Sequence, residues 1–96
     1  MQCESSPRAE LDLEEIGDYI ARDNPPRAVS FIREIRERCT TLAANPAAAP
    51  LRADLAEGMR MVTLGHYLIF HTFDVDRVRM EHVLHGARYI PALFDA

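Results

Sequence analysis

The sequence predicts an α+β fold, an N-terminal antiparallel helix hairpin packed on a small twisted antiparallel β-sheet. Three observations carry this expectation. Apolar residues recur at helical spacing up to residue 44, and from Met59 onward they recur at every second position. Capping residues and prolines punctuate the first half at Ser6-Pro7, Asp23-Asn24-Pro25-Pro26 and Asn45-Pro46. Turn residues, Gly65 and Asp74-Val75-Asp76, divide the second half into three short runs. The 96 residues are one domain's worth of chain, so a single domain over 1–96 is expected.

The first helix is predicted over residues 7–22. Ser6 supplies a capping hydroxyl, and Pro7 sits where its missing N–H does no harm. Ala9, Leu13, Ile16 and Ile20 form one apolar stripe, with Leu11 and Tyr19 off it. Glu10, Asp12, Glu14, Glu15 and Asp18 fall on the other faces and read as a solvated surface. The second helix is predicted over 25–44, with a seam of Ala28, Ile32, Ile35, Cys39 and Leu42. Arg33 with Glu37, and Glu34 with Arg38, have the i,i+4 spacing of surface ion pairs. A short Pro-rich turn between two such helices makes an antiparallel hairpin.

Residues 45–58 form a loop long enough to need some local order, with a turn expected around 52–56. Strands follow at 59–64, 66–73 and 77–84, joined by tight turns as a meander, and residues 87–96 form a C-terminal tail. In the middle strand Tyr67, Ile69 and Phe73 point one way and Leu68 and Phe70 the other, so both faces should be covered. The helix hairpin can cover one. The tail or another chain is expected to cover the second. In the last strand the alternation places Val78, Met80, His82 and Leu84 on one face, with Arg77, Arg79, Glu81, Val83 and His85 opposite.

Composition narrows the function. A net charge of −4, from fifteen acidic and eleven basic residues, argues against coating duplex nucleic acid by charge alone. The acidity is uneven: Glu4, Glu10, Asp12, Glu14, Glu15, Asp18 and Asp23 crowd the first quarter beside only Arg8 and Arg22. Cys3 and Cys39 are too few for a disulfide scaffold and read as buried free thiols in a reducing compartment. The N-terminus has neither the cationic start nor the apolar run of a signal sequence, and no segment is long enough to span a membrane. A cytoplasmic location is expected. His82 and His85, three apart on a strand, face opposite sides, and no Cys or carboxylate completes a site with them. No metal or other cofactor is therefore expected.

Four stretches, in register over nearly the whole chain, resemble one family. They are Ser6-Pro7-Arg8-Ala9 continuing into Asp12-Leu13-Glu14-Glu15-Ile16; Leu42-Ala43-Ala44-Asn45-Pro46; Gly65-His66-Tyr67-Leu68-Ile69-Phe70; and Val83-Leu84-His85-Gly86-Ala87-Arg88 with Tyr89-Ile90-Pro91-Ala92-Leu93-Phe94. The sequence is similar to the ParE toxins of the RelE/ParE toxin–antitoxin superfamily. The resemblance implies two helices on a twisted antiparallel sheet. It also implies a partner, a ParD-like ribbon-helix-helix antitoxin that folds its C-terminal part onto the toxin and itself binds operator DNA. A first strand at Gln2–Ser5 is implied too, although only Cys3 there suits a strand core.

The superfamily divides by activity. The RelE branch cleaves ribosome-bound mRNA and needs cations to stabilise developing charge and a group to activate the ribose 2′-OH. Aligned through its glycine turns, this sequence offers Arg60, Val62 and Tyr67 on the strands, then Arg88 and Phe94; Phe94 has no proton to give. That departure favours the ParE branch, whose members resemble RelE in fold and poison DNA gyrase by binding, without being enzymes. Glu81 and His82 stand where ParE sequences usually carry apolar and basic residues. The resemblance implies a target-binding segment of Arg88, Tyr89, Ile90, Leu93 and Phe94, and an antitoxin surface that includes Leu11, Tyr19, Tyr67, Ile69 and Phe73. By its own chemistry, Arg88 could meet a phosphate or pair with Glu81 or Asp95. The alternatives are a nuclease using Arg60, His85 and Arg88, and a detoxified homologue that keeps only antitoxin binding. His85 has a suitable pKa for a general base, while a structural role before Gly86 competes with it.

Overall fold

The computed structural model describes residues 2–86. Six elements follow one another: β1 (Gln2–Ser5), α1 (Pro7–Ala21), α2 (Pro25–Ala44), β2 (Arg60–Leu64), β3 (Tyr67–Phe73) and β4 (Arg77–His85). Both helices start where a side chain can satisfy an orphan amide. Ser6 Oγ accepts from the Ala9 N–H and Asn24 Oδ1 from the Arg27 N–H, each with proline in the first turn.

The sheet has four strands in the order β1-β4-β3-β2. β2, β3 and β4 form the antiparallel meander, and β1 adds in parallel to the outer edge of β4. The sheet is therefore mixed. β1 forms without an alternating sequence because little is asked of its side chains. Its backbone pairs with β4, Cys3 packs on the core, and Glu4 lies beside Arg77 and Arg79. Cys3 and Cys39 are not free thiols: a disulfide joins them, with Cα atoms 6.0 Å apart, tying β1 to α2.

The main core lies between the hairpin and one face of the sheet. Ala9, Leu13 and Ile16 of α1 and Phe31, Ile35 and Cys39 of α2 pack against Ile69, Met80 and Val83. Phe31 joins this face beside the seam that spacing predicts. The expected ion pairs along α2 give way to others. Glu34 pairs with Arg27, Arg38 donates to the Thr63 carbonyl, and Arg36 holds Glu10 with two hydrogen bonds that tie the helices together.

The second sheet face is covered from within the chain. Phe70 and Leu84 pack with Met59, Leu55 and Ala56 of the segment before β2, and Leu68 and Met61 join them. Residues 45–58 are thus the cover that the apolar second face required. Backbone hydrogen bonds from Met61 to Pro50 and from Arg52 to Met59 hold the segment on the β2 side.

β4 departs from simple alternation. Phe70 pairs with His82 and His71 with Met80, so Glu81 is an extra residue, a β-bulge. The bulge shifts the parity of the strand. Val83, which simple alternation places opposite Met80, joins Met80 in the helix-side core, and Leu84 turns to the second face.

A bulge leaves ladder groups unpaired, and α1 satisfies them. Ser6 Oγ donates to the Glu81 carbonyl at 2.8 Å, and the Val83 N–H donates to Asp12 Oδ2 at 3.0 Å. Asp12 is 3% exposed, not solvated, and is held by Arg8 Nε at 3.1 Å, with His82 Nδ1 at 3.6 Å. Replacing Asp12 with Ala leaves the buried Val83 amide without an acceptor, at a cost of about 2–3 kcal/mol. D12N keeps an acceptor and should lose less. Urea unfolding of the two variants checks the order, and equal losses would mean that the hydrogen bond is not what matters.

Candidate functional site

The cleft begins where β4 ends. Asp12, Glu15, Ile16 and Tyr19 of α1, with Arg22 at its C-cap, line one wall, and Tyr67 of β3 with Val83, Leu84 and His85 of β4 line the other, enclosing about 470 Å³. The bulge creates this wall by turning Val83 toward α1. Gly86 closes the corner: its N–H donates to the His66 carbonyl at 2.8 Å, and a Cβ there would lie 3.3 Å from the same oxygen.

The cleft joins aromatic surface to mixed charge. Tyr67 meets Phe31 at 5.1 Å on its core side and His85 edge-on at 5.3 Å on the other. The His85 ring also lies against His66, with centroids 6.3 Å apart. Burial pushes the Tyr67 hydroxyl above its ordinary pKa, and nearby Tyr19 adds to the shift, so Tyr67 stays a neutral donor at physiological pH. Tyr19 is 65% exposed, a large aromatic surface at the rim. Glu15 and Arg22 put opposite charges beside it. Such a cleft can seat an apolar or aromatic side chain and orient polar groups around it.

The residues singled out by sequence separate into distinct places. Tyr19 and Tyr67 meet in the cleft. Leu11 is half exposed on α1 outside its lining, and Phe73 is partly exposed at the far end of β3. Ile69 is 0% exposed in the main core and presents no surface to a partner. Arg88, Tyr89, Ile90, Leu93 and Phe94 lie outside the described residues. Asp12, Glu15 and Arg22 line the cleft without having been distinguished by sequence from the rest of a charged helix. The one pointer was the i,i+4 spacing of Arg8 and Asp12, which a surface pair shares.

Arg60 and His85 do not converge. Arg60 stands opposite His71 and His85 opposite Tyr67, at the two ends of β3 and on its two sides. Strand geometry puts their Cα atoms about 16 Å apart. The Arg60 guanidinium donates to the Ala49 carbonyl at 2.7 Å and the Ala47 carbonyl at 3.2 Å, and lies over the Phe73 ring. Its contacts fasten the covering segment to the sheet. Among the described residues, no group of three or more His, Cys, Asp or Glu side chains is placed to hold a metal ion, and no helix is long and apolar enough to cross a membrane.

Solved structures share this architecture of two helices packed on a small sheet. A chromosomal ParDE toxin–antitoxin system from P. aeruginosa matches with a TM-score of 0.76 at 18% identity, over 88% of this chain and 95% of that one. The RelBE2 toxin–antitoxin complex from Mycobacterium tuberculosis matches with a TM-score of 0.65 at 24% identity, over 91% and 92%. No curated protein sequence matches. The family model for the ParE toxin of type II toxin–antitoxin systems (parDE) matches residues 4–89, and the chain belongs to that family.

His71, in register with Arg60, provides a pH test of the core. Its ring is fully buried, and neither nitrogen makes a well-formed hydrogen bond. Burial pulls its pKa below the ordinary imidazole value and Arg60 adds to this, while the Pro46 carbonyl acts in the opposite sense. The unfolded chain therefore takes up the proton first as pH falls. The stability contributed by the neutral ring is complete above about pH 6.5 and is lost as pH falls through the lower folded-state value. Glu10, Asp54 and Asp74 also have lowered values, but their losses come in the carboxylate range. Unfolding free energy should decline from pH 7.5 to 5.5 in the wild type and less steeply in H71F. Parallel curves would reject His71 as the source.

Proposed function

We propose that this chain is the toxin of a two-component pair, that it inhibits DNA gyrase by binding, and that a ParD-like antitoxin neutralises it. The observation that carries this reading is the ParE family match over residues 4–89. The separation of Arg60 from His85, and the use of Arg60 to hold loop carbonyls, favour binding over ribonuclease chemistry. The target-binding segment is Arg88, Tyr89, Ile90, Leu93 and Phe94, which follow Gly86 in the sequence. The antitoxin engages the Tyr19–Tyr67 cleft, and operator DNA is bound through the antitoxin alone. The pair acts in the cytoplasm, and expression of the toxin alone arrests growth.

Purified toxin should inhibit supercoiling by gyrase, and a chain ending at Gly86 should not. R88A should retain the fold and weaken inhibition about tenfold, the scale of a lost charged anchor. Unimpaired supercoiling at saturating toxin, with fresh cuts in translated mRNA after induction, would replace this reading with the ribonuclease one. Normal growth without cuts would indicate a detoxified homologue. For the antitoxin surface, Y19A is the clean variant, because Tyr19 is exposed and its loss leaves the core intact. Affinity for the antitoxin should fall about tenfold or more by calorimetry; unchanged affinity would move the antitoxin off this cleft.

A further inference from the structure

We propose that the Cys3–Cys39 bond is a reversible redox latch that fixes the edge strand β1 against α2 when closed and releases it when reduced. Three observations support it. The two Cα atoms are 6.0 Å apart, a span that a disulfide bridges without backbone movement. β1 is only four residues long and pairs with β4 alone, on one side, the kind of element that opens locally at small cost. The bond links residues 36 apart in sequence, so closing it joins the N-terminal edge of the sheet to the middle of the second helix.

The two sulfurs differ in access, which sets the order of events. Cys39 is 4% exposed within the main core, whereas Cys3 is only partly buried. A small-molecule disulfide therefore reacts first at Cys3. The Cys3 thiol loses its proton, and its sulfur attacks one sulfur of the oxidant, forming a mixed disulfide and releasing one thiol. The Cys39 thiolate then attacks the Cys3 sulfur and expels the second thiol. Two protein thiols are oxidised and one external disulfide is reduced to two thiols. Reduction runs the same path backward.

The latch reaches further than its own strand. β1 leads directly into Ser6, whose N–H donates to the Met80 carbonyl and whose hydroxyl caps α1 and bonds Glu81. With the bond closed, the start of α1 stays seated on the bulge. With it open, fraying of β1 extends to Ser6.

The test uses the full-length chain, treated with oxidised glutathione and then with dithiothreitol. Oxidation should remove two hydrogens from the intact mass of the monomer and slow amide exchange in Gln2–Ser5. It should also raise Tm by about 20 °C, the scale expected for closing a loop of this length in a chain of this size. Dithiothreitol should reverse all three changes in the folded protein, and C3S should show none of them. C39A serves as a second variant if C3S fails to fold, and the oxidised-against-reduced comparison needs no variant. Free thiols at saturating oxidised glutathione, a cross-link between chains, a bond that resists dithiothreitol, or unchanged Tm and exchange would each overturn the proposal.

Discussion

One extra residue in β4 sets much of this structure. Glu81 has no partner on β3, and the bulge it creates leaves a carbonyl and an amide that water cannot reach freely. Both are satisfied by α1, the carbonyl by Ser6 and the Val83 amide by Asp12. An unpaired buried backbone group is costly enough that such a bulge would not persist without these partners. The helix is therefore fixed on the sheet by polar bonds at its cap and about 1.7 turns further on, and not only by a sliding apolar contact. Arg8 completes the arrangement by giving the buried Asp12 carboxylate a counter-ion within the same helix.

The two ends of the sheet consequently do different work. At the end near β4's C-terminus, the bulge turns Val83 inward and opens a lined cleft beside Gly86. At the other end, Arg60, lying over Phe73, fastens the long connection that covers the second face. A cation spent on loop carbonyls and an aromatic ring is a structural cation. The cleft has the opposite character: exposed aromatic surface lies beside the carboxylates of Asp12 and Glu15 and the guanidinium of Arg22.

Much of the fold was legible in the sequence because each helix and hairpin is dictated locally. Ser6-Pro7 and Asn24-Pro25 open helices by capping chemistry, and Gly65, at φ 59°, takes a backbone conformation that favours glycine in the turn between β2 and β3. What escaped depends on contacts distant in sequence. β1 carries no strand pattern because its pairing comes from the open edge of β4, some 75 residues away. The bulge is invisible to alternation, which places Val83 on the wrong face. Asp12 looks like its acidic neighbours, since only the Val83 amide 71 residues on distinguishes it. Of the cleft, Tyr19 and Tyr67 could be found as aromatic residues at exposed or half-exposed positions. Ile69 could not be separated from them, because burial on a two-sided strand depends on what covers each side.

The cover supplied by residues 45–58 also changes where a partner is to be sought. The apolar second face of the sheet had been a reason to expect another chain there, but Leu55, Ala56 and Met59 already close over Phe70 and Leu84. Among the described residues, the large apolar side chains left most open on the helices are Leu11, Tyr19 and Val29. Only Tyr19 of these lines the cleft, where a second aromatic ring and backbone turned by the bulge stand opposite. A flat helix face offers apolar area without orientation, whereas a cleft with fixed walls offers both. The same polar bonds that hold α1 to the bulge keep those walls apart at a set distance. The shape of the cleft is thus tied to Asp12 within its lining and to Ser6 outside it.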